Sequence, residues 1–163
     1  MFGFNQNNNS DPRVASALNN LDIKYTVDSD GDYRIVYNLS NGRTQMGFIR
    51  SNTYKFAGIE MREIFSYGLL SVNEFGVKIS NYLLRENTNK KIGSWGIERS
   101  GDKYAASFTA KISSDLKGDA LVAVIIAVLN TADELERGLT GKDILWVDLI
   151  ISIIIPIAST SRY

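Results

Sequence analysis

The sequence predicts an α+β domain: an antiparallel sheet carrying its helices on one face, in the order α-β-β-β-(β)-α-β-β-α, followed by an apolar C-terminal segment. Three observations lead there. Apolar residues alternate with period two across residues 23–51 and again across 92–114, the spacing of strands with one face toward a core. Gly-containing turns too short for a crossover join these runs, so successive strands run antiparallel. Three other stretches, at 11–20, 72–87 and 119–136, space their apolar residues three and four apart, which is helical.

Each element follows from its own residues. Residues 1–10 carry an Asn/Gln run and read as a mobile tail. Ser10 or Asp11 caps a first helix with Pro12 at its first position, where a missing N–H costs little, and Val14, Ala17, Leu18 and Leu21 form its apolar face. Ile23, Tyr25 and Val27 then alternate with Lys24 and Thr26, and Tyr33, Ile35, Tyr37 and Leu39 with Arg34 and Asn38. Asp30-Gly31 supplies the left-handed positions of the turn between them. After a second turn at Ser40-Asn41-Gly42, Arg43–Ser51 is a third strand with Thr44, Met46 and Phe48 on one face. Residues 52–70 read as a twisted fourth strand whose Gly58 and Gly68 mark bulges or ends.

Ser71-Val72-Asn73-Glu74 has the form of a capping box opening a second helix, with Val72, Phe75, Ile79, Tyr82 and Leu83 on one face. Ile92–Arg99 and Asp102–Ser114 form a hairpin across Ser100-Gly101. Its second arm turns Tyr104, Ala106, Phe108, Ala110 and Ile112 to the core and leaves the opposite face mostly wet. The central helix, Asp119–Glu136, closes at Gly138 in a left-handed cap with Leu139 folding back. Around it, Val124, Ile125, Val128, Ala132 and Leu135 fill one arc and Val122, Ile126 and Leu129 an adjacent one, about 200° in all. One sheet covers about half of that, so a second apolar partner is required, either another copy of this helix or the C-terminal segment folding back.

That segment is a case apart: 12 of the 15 residues from Ile144 to Ala158 are apolar, and the exceptions Asp148, Ser152 and Pro156 recur every four, one narrow polar line on a helix. Fifteen helical residues reach ~22 Å against a hydrocarbon core of ~30 Å, which disfavours a membrane span. The domain organisation expected is therefore a tail at 1–10, one domain at 11–143 and an apolar extension at 144–163. Val122, Ile126, Leu129, Ile150 and Ile154 are the candidate dimer or partner contacts.

Composition excludes much chemistry. The chain has 163 residues, enough for one core, with 18 basic and 18 acidic side chains and no basic stripe of the kind that binds nucleic acid. Cysteine and histidine are both absent, which removes disulfides, thiolate nucleophiles, Cys/His zinc sites and histidine general bases. The opening residues lack the basic and apolar regions of a secretory signal, so a cytoplasmic address is expected. Asp28, Asp30 and Asp32 have the first spacings of a calcium loop, but Tyr33 stands where that loop needs Gly and Leu39 where it needs Glu, so they read as a structural turn. Asp133, Glu134 and Glu136 diverge around the helix and read as solvated or ion-paired. No Gly-rich phosphate cradle occurs. Arg34, Arg43 and Arg50 present a candidate cationic sheet surface, with Trp95 either a stacking platform or core.

The order of elements, together with IKYTVDSDGDYRIVY at 23–37, LLREN at Leu83–Asn87 and TADELERGLTGKD at Thr131–Asp143, resembles the class I type III secretion chaperone fold, and within it the YbjN-like proteins, over about residues 10–143. The resemblance implies a homodimer without cofactor or catalytic residues. In the secretion chaperones such a dimer holds an extended client segment against the sheet and helices. The apolar stretch after Asp143 departs from the family pattern. The expected function is thus a non-catalytic, homodimeric protein-binding or chaperone-like module, the client being a protein or peptide. The alternative is a peripheral membrane or membrane-protein assembly factor docking through 144–158.

Overall fold

The computed structural model describes residues 9–39 and 42–140; residues 1–8 of the expected tail and the 144–158 segment, including Ile150 and Ile154, lie outside the described residues. The element order is α1 (Pro12–Asn19), β1 (Tyr25–Val27), β2 (Tyr33–Asn38), β3 (Thr44–Ile49), β4 (Tyr54–Phe56), β5 (Ile59–Ser71), α2 (Val77–Glu86), β6 (Ser94–Ser100), β7 (Lys103–Ser113) and α3 (Gly118–Thr140). The strands form one seven-stranded antiparallel sheet in the order β1-β2-β3-β5-β7-β6, with β4 paired to the start of β5. The fold class is therefore α+β with an antiparallel sheet, as the alternation predicted.

One apolar core joins all three helices to one face of the sheet. Val14 and Leu18 of α1, Leu83 of α2 and Leu121, Ile125, Val128, Ala132 and Leu135 of α3 meet Ile35, Ile49, Ile64, Ala106, Phe108 and Ala110 of the strands. Small residues on the sheet let α3 approach. A methyl group at Gly47 would come within 2.9 Å of Leu129, and one at Gly68 within 2.6 Å of Trp95. Gly68 also sits where the β5–β7 register shifts between Tyr67 and Leu69, so it serves both the bulge and the close contact.

Several local expectations change. Residues 52–70 are not one strand: Phe56 and Ile59 are cross-strand partners around Ala57 (φ 49) and Gly58 (φ 81), a two-residue turn with both central residues left-handed. The Ser71–Glu74 capping box does not form, because β5 pairs with β7 as far as Ser71↔Tyr104 and so consumes Ser71 in the ladder. The Ser71 Oγ instead accepts from the Asn73 N–H, the Glu74 carboxylate accepts the Tyr104 hydroxyl, and α2 begins after Gly76. Gly138 does not end α3, which continues through it to Thr140. In the β1–β2 turn Gly31 is left-handed and Asp30 is not. There the Asp28 Oδ1 accepts from the N–H groups of Asp30 and Asp32, so this carboxylate is turned on its own backbone. The face of β7 expected to be wet is partly closed, with Ala105 and Ser107 buried.

Past α2 the chain makes a 3-10 turn at Asn87–Asn89. The Asn87 side chain there accepts from the Trp95 N–H at 2.6 Å and donates to the Trp95 carbonyl at 3.3 Å, along the outer edge of β6.

Candidate functional site

Alternation along the strands assigns every side chain to the helix-covered face or the opposite one. On β3, Gly47 and Ile49 face the helices, while Thr44, Met46 and Phe48 face away, as does Arg50 just beyond it. Arg34, which lies across from Phe48 in the β2–β3 register, therefore shares the far face. Arg43 does not: seven residues from Arg50 along one strand direction, it lands on the helix side. Its Nε reaches Asp133, and its Nη2 reaches the Glu136 carboxylate at 3.0 Å. These two acids are buried in an ion-paired cluster, one of the two outcomes their helical positions allowed. Trp95 is likewise not on the open surface. It is 7% exposed, in the core, edge-on to Phe108 at 5.3 Å. Parity in β3 predicts the displacement of Arg43, and the pairing of Trp95 with Phe108 explains that of Trp95.

The sequence puts Met46 and Phe48 on one face of β3 but does not join them to Phe65 and Tyr67. Met46, Phe48, Phe65 and Tyr67 form a second cluster, separate from the core. Phe48 and Phe65 stack at 4.9 Å, and Tyr67 meets them at 5.6 and 5.5 Å. The Arg50 guanidinium lies 4.8 Å from the Phe65 ring centroid and pairs with Glu63 at 3.2 Å and Asp32 at 3.5 Å. Burial pushes the Tyr67 phenol up from its usual range; burial likewise raises the Asp32 carboxyl against the opposing Ser51 N–H and Arg50. Beside the cluster, a groove of about 200 Å³ is lined by Arg50, Glu63, Glu98, Ser107, Thr109 and Lys111. The sequence signal for this face is that GRTQMGFIRS places apolar residues at both parities, the mark of a strand buried on both sides.

The candidate contacts of α3 divide. Leu129 is 1% exposed and packs over Gly47, so it belongs to the core and is not an interface residue. Val122 and Ile126 are half-buried. Other exposed apolar side chains include Phe56 and Ile59 at the β4–β5 turn and Val77 and Leu84 on α2.

At the opposite end of the sheet, Arg62 is buried at 2% exposure; its Nη2 donates to the Asp11 carboxylate at 2.6 Å and its Nη1 to the Arg50 carbonyl at 3.0 Å. Arg13 binds Asp11 and Glu60 together, each at 2.8 Å. Burial raises the Asp11 carboxyl, but hydrogen bonds from Arg13 and Arg62 outweigh it and hold the pKa at about 2. Hydrogen bonds from Arg13 and Thr53 hold Glu60 well below the usual carboxylate range. Beside this network a cleft of about 730 Å³ opens between α1 and residues 114–118, with Ala17, Leu21 and Leu116 among its apolar walls. Its arginine is committed to Asp11 and Glu60.

Among the described residues no group of three or more His, Cys, Asp or Glu is placed to hold a metal, and no helix is long and apolar enough to cross a membrane. Neither the protein-family models, nor the curated proteins, nor the solved structures compared with this chain give a match.

Proposed function

We propose that the protein is a non-catalytic protein-binding module, YbjN-like and chaperone-like in architecture, that acts as a homodimer and holds a peptide segment of its client against the sheet face opposite the helices. The observation that carries this reading is that face itself. It joins an apolar aromatic cluster to a groove edged by Arg50, Lys111, Glu63 and Glu98, so one surface offers both side-chain burial and fixed charges. Arg34 and Arg50 lie on this face and support the reading, while Arg43 and Trp95 serve the core. Val122 and Ile126, half-buried on α3, are the residues that support a self-association surface.

Light scattering behind gel filtration tests the dimer: a species of twice the 18.1 kDa chain mass is expected, and a clean monomer at micromolar concentration defeats it. Panning a displayed library of random peptides tests the binding face. The purified protein should enrich a shared sequence pattern that the Arg50→Glu, Lys111→Glu form does not, and equal enrichment by both forms would exclude this face.

A further inference from the structure

We propose that Arg34 anchors a carboxylate of the client, and that the segment received on the sheet face opposite the helices carries an acidic side chain two positions away from an apolar one. The proposal rests on the binding reading above and supplies the chemistry of the client.

The cations around the aromatic cluster are not alike. Arg50 is engaged by Glu63, by Asp32 and by the Phe65 ring, and Lys111 by Glu63 at 3.8 Å and by the Tyr54 ring at 5.7 Å. The Arg34 side chain makes no hydrogen bond or ion pair among the described residues, and its Nε is shut away from solvent. A guanidinium partly withdrawn from water and lacking a counter-charge gains more from an arriving carboxylate than a solvated or already paired one does. No neighbour supplies that partner. On the same face stand Thr26 of β1, Phe48 of β3 and Val36 of β2, while Asp32 accepts from the Ser51 N–H at 2.8 Å and is turned to Arg50.

The register sets the spacing of the client. Arg34, Phe48, Phe65 and Thr109 occupy one row across β2, β3, β5 and β7. With strands ~4.8 Å apart, the middle of the Phe48–Phe65 stack lies one and a half spacings from Arg34, ~7 Å, and Thr109 lies three spacings away, ~14 Å. An extended chain laid along this row sets alternate side chains on the sheet at steps of ~6.6 Å. An acidic residue at Arg34 therefore brings the residue two positions on over the stacked rings, and the residue four positions on over the Thr109 hydroxyl. One planar guanidinium beside an apolar surface suits one carboxylate. A phosphate polymer needs several free cations in line, whereas Arg50 and Lys111 are already paired.

Panned against displayed random peptides, the full-length protein should enrich Asp or Glu two positions from an aromatic or aliphatic residue, in either chain direction. The Arg34→Glu form should replace that acidic residue by Lys or Arg. A fluorophore-labelled peptide from the enriched pool then serves as the probe in anisotropy titrations. Arg34→Gln should weaken its binding at least ten-fold, whereas the same peptide with its carboxylate changed to the amide should bind both forms equally. That equality also shows that the Arg34→Gln form is folded and keeps the rest of the face. A pattern without the acidic residue, or an equal loss for both peptides on Arg34→Gln, overturns the proposal. Should such a pattern still depend on Arg50 and Lys111, the binding face stands and only the carboxylate anchor is lost. Absence of any shared pattern removes the binding reading and this inference together.

Discussion

The two faces of the sheet are built from different materials. Toward the helices lie Ile35, Ile49, Ile64, Ala106 and Ala110 with Gly47 and Gly68 between them, a low surface that lets α3 come close. Away from the helices lie Met46, Phe48, Phe65 and Tyr67, ringed by Arg34, Arg50, Glu63 and Lys111. The first face is shaped for one permanent partner, where loss of a methyl group is felt. The second combines broad aromatic area with charges at its border, which suits an occupant that comes and goes.

The largest effect expected on this contrast is on the covered face. Phe108→Ala, at a ring 1% exposed and wedged edge-on against Trp95, should cost about 3–5 kcal/mol in urea unfolding. A loss below 1 kcal/mol would mean that the helix-side core is far looser than its packing indicates.

Next comes the ionic network at the end of that core. Asp11→Asn keeps a good helix cap but removes the charge held by Arg13 and Arg62. The folded pKa of Asp11, about 2, lies below the ordinary aspartate value of 3.8, so its stabilisation is present above about pH 4 and is lost as pH falls through 2. Because the Arg13 partner is exposed and screened by solvent, the variant should be less stable than the parent by about 1–2 kcal/mol at pH 7, with the gap closing toward pH 2. A pH-independent gap would assign the loss to capping or packing alone.

The smallest effect falls within a pair of glycines. Gly47→Ala sets a methyl 2.9 Å from Leu129 and should cost about 1–3 kcal/mol, whereas Gly96→Ala, with nothing within 4 Å, should stay within about 0.5 kcal/mol. Equal costs would erase the distinction between a close-packed position and an open one.

Much of this was legible in the residues. Alternation together with the Gly-containing turns located β2, β3, β6 and β7, Asp11-Pro12 located the start of α1, and the apolar periodicity of 119–136 located α3. What failed did so where tertiary pairing overrode a local signal. Ser71 has the form of a cap but belongs to the β5 ladder, and Gly138 has the form of a stop but is held in a helix whose last turns are anchored by Arg43. The β4–β5 turn was hidden because Ala57 shares a left-handed conformation that its side chain does not advertise. The far-face cluster was in plain view at both parities of β3 but counted only once, for the core.

The contact between Asn87 and Trp95 bears on how this sheet ends. An edge strand offers a row of unpaired amides and carbonyls on which another chain can grow, and proteins that leave such rows open risk fibrous aggregation. By filling both backbone groups of Trp95, the Asn87 amide acts as a one-residue stopper on β6, and the adjacent Glu98 and Arg99 place charge along the remaining stretch. At the other margin β1 is only three residues long. Growth of the sheet by stacking copies edge to edge is thereby discouraged at both ends, which leaves its broad faces as the surfaces on which other chains can be received.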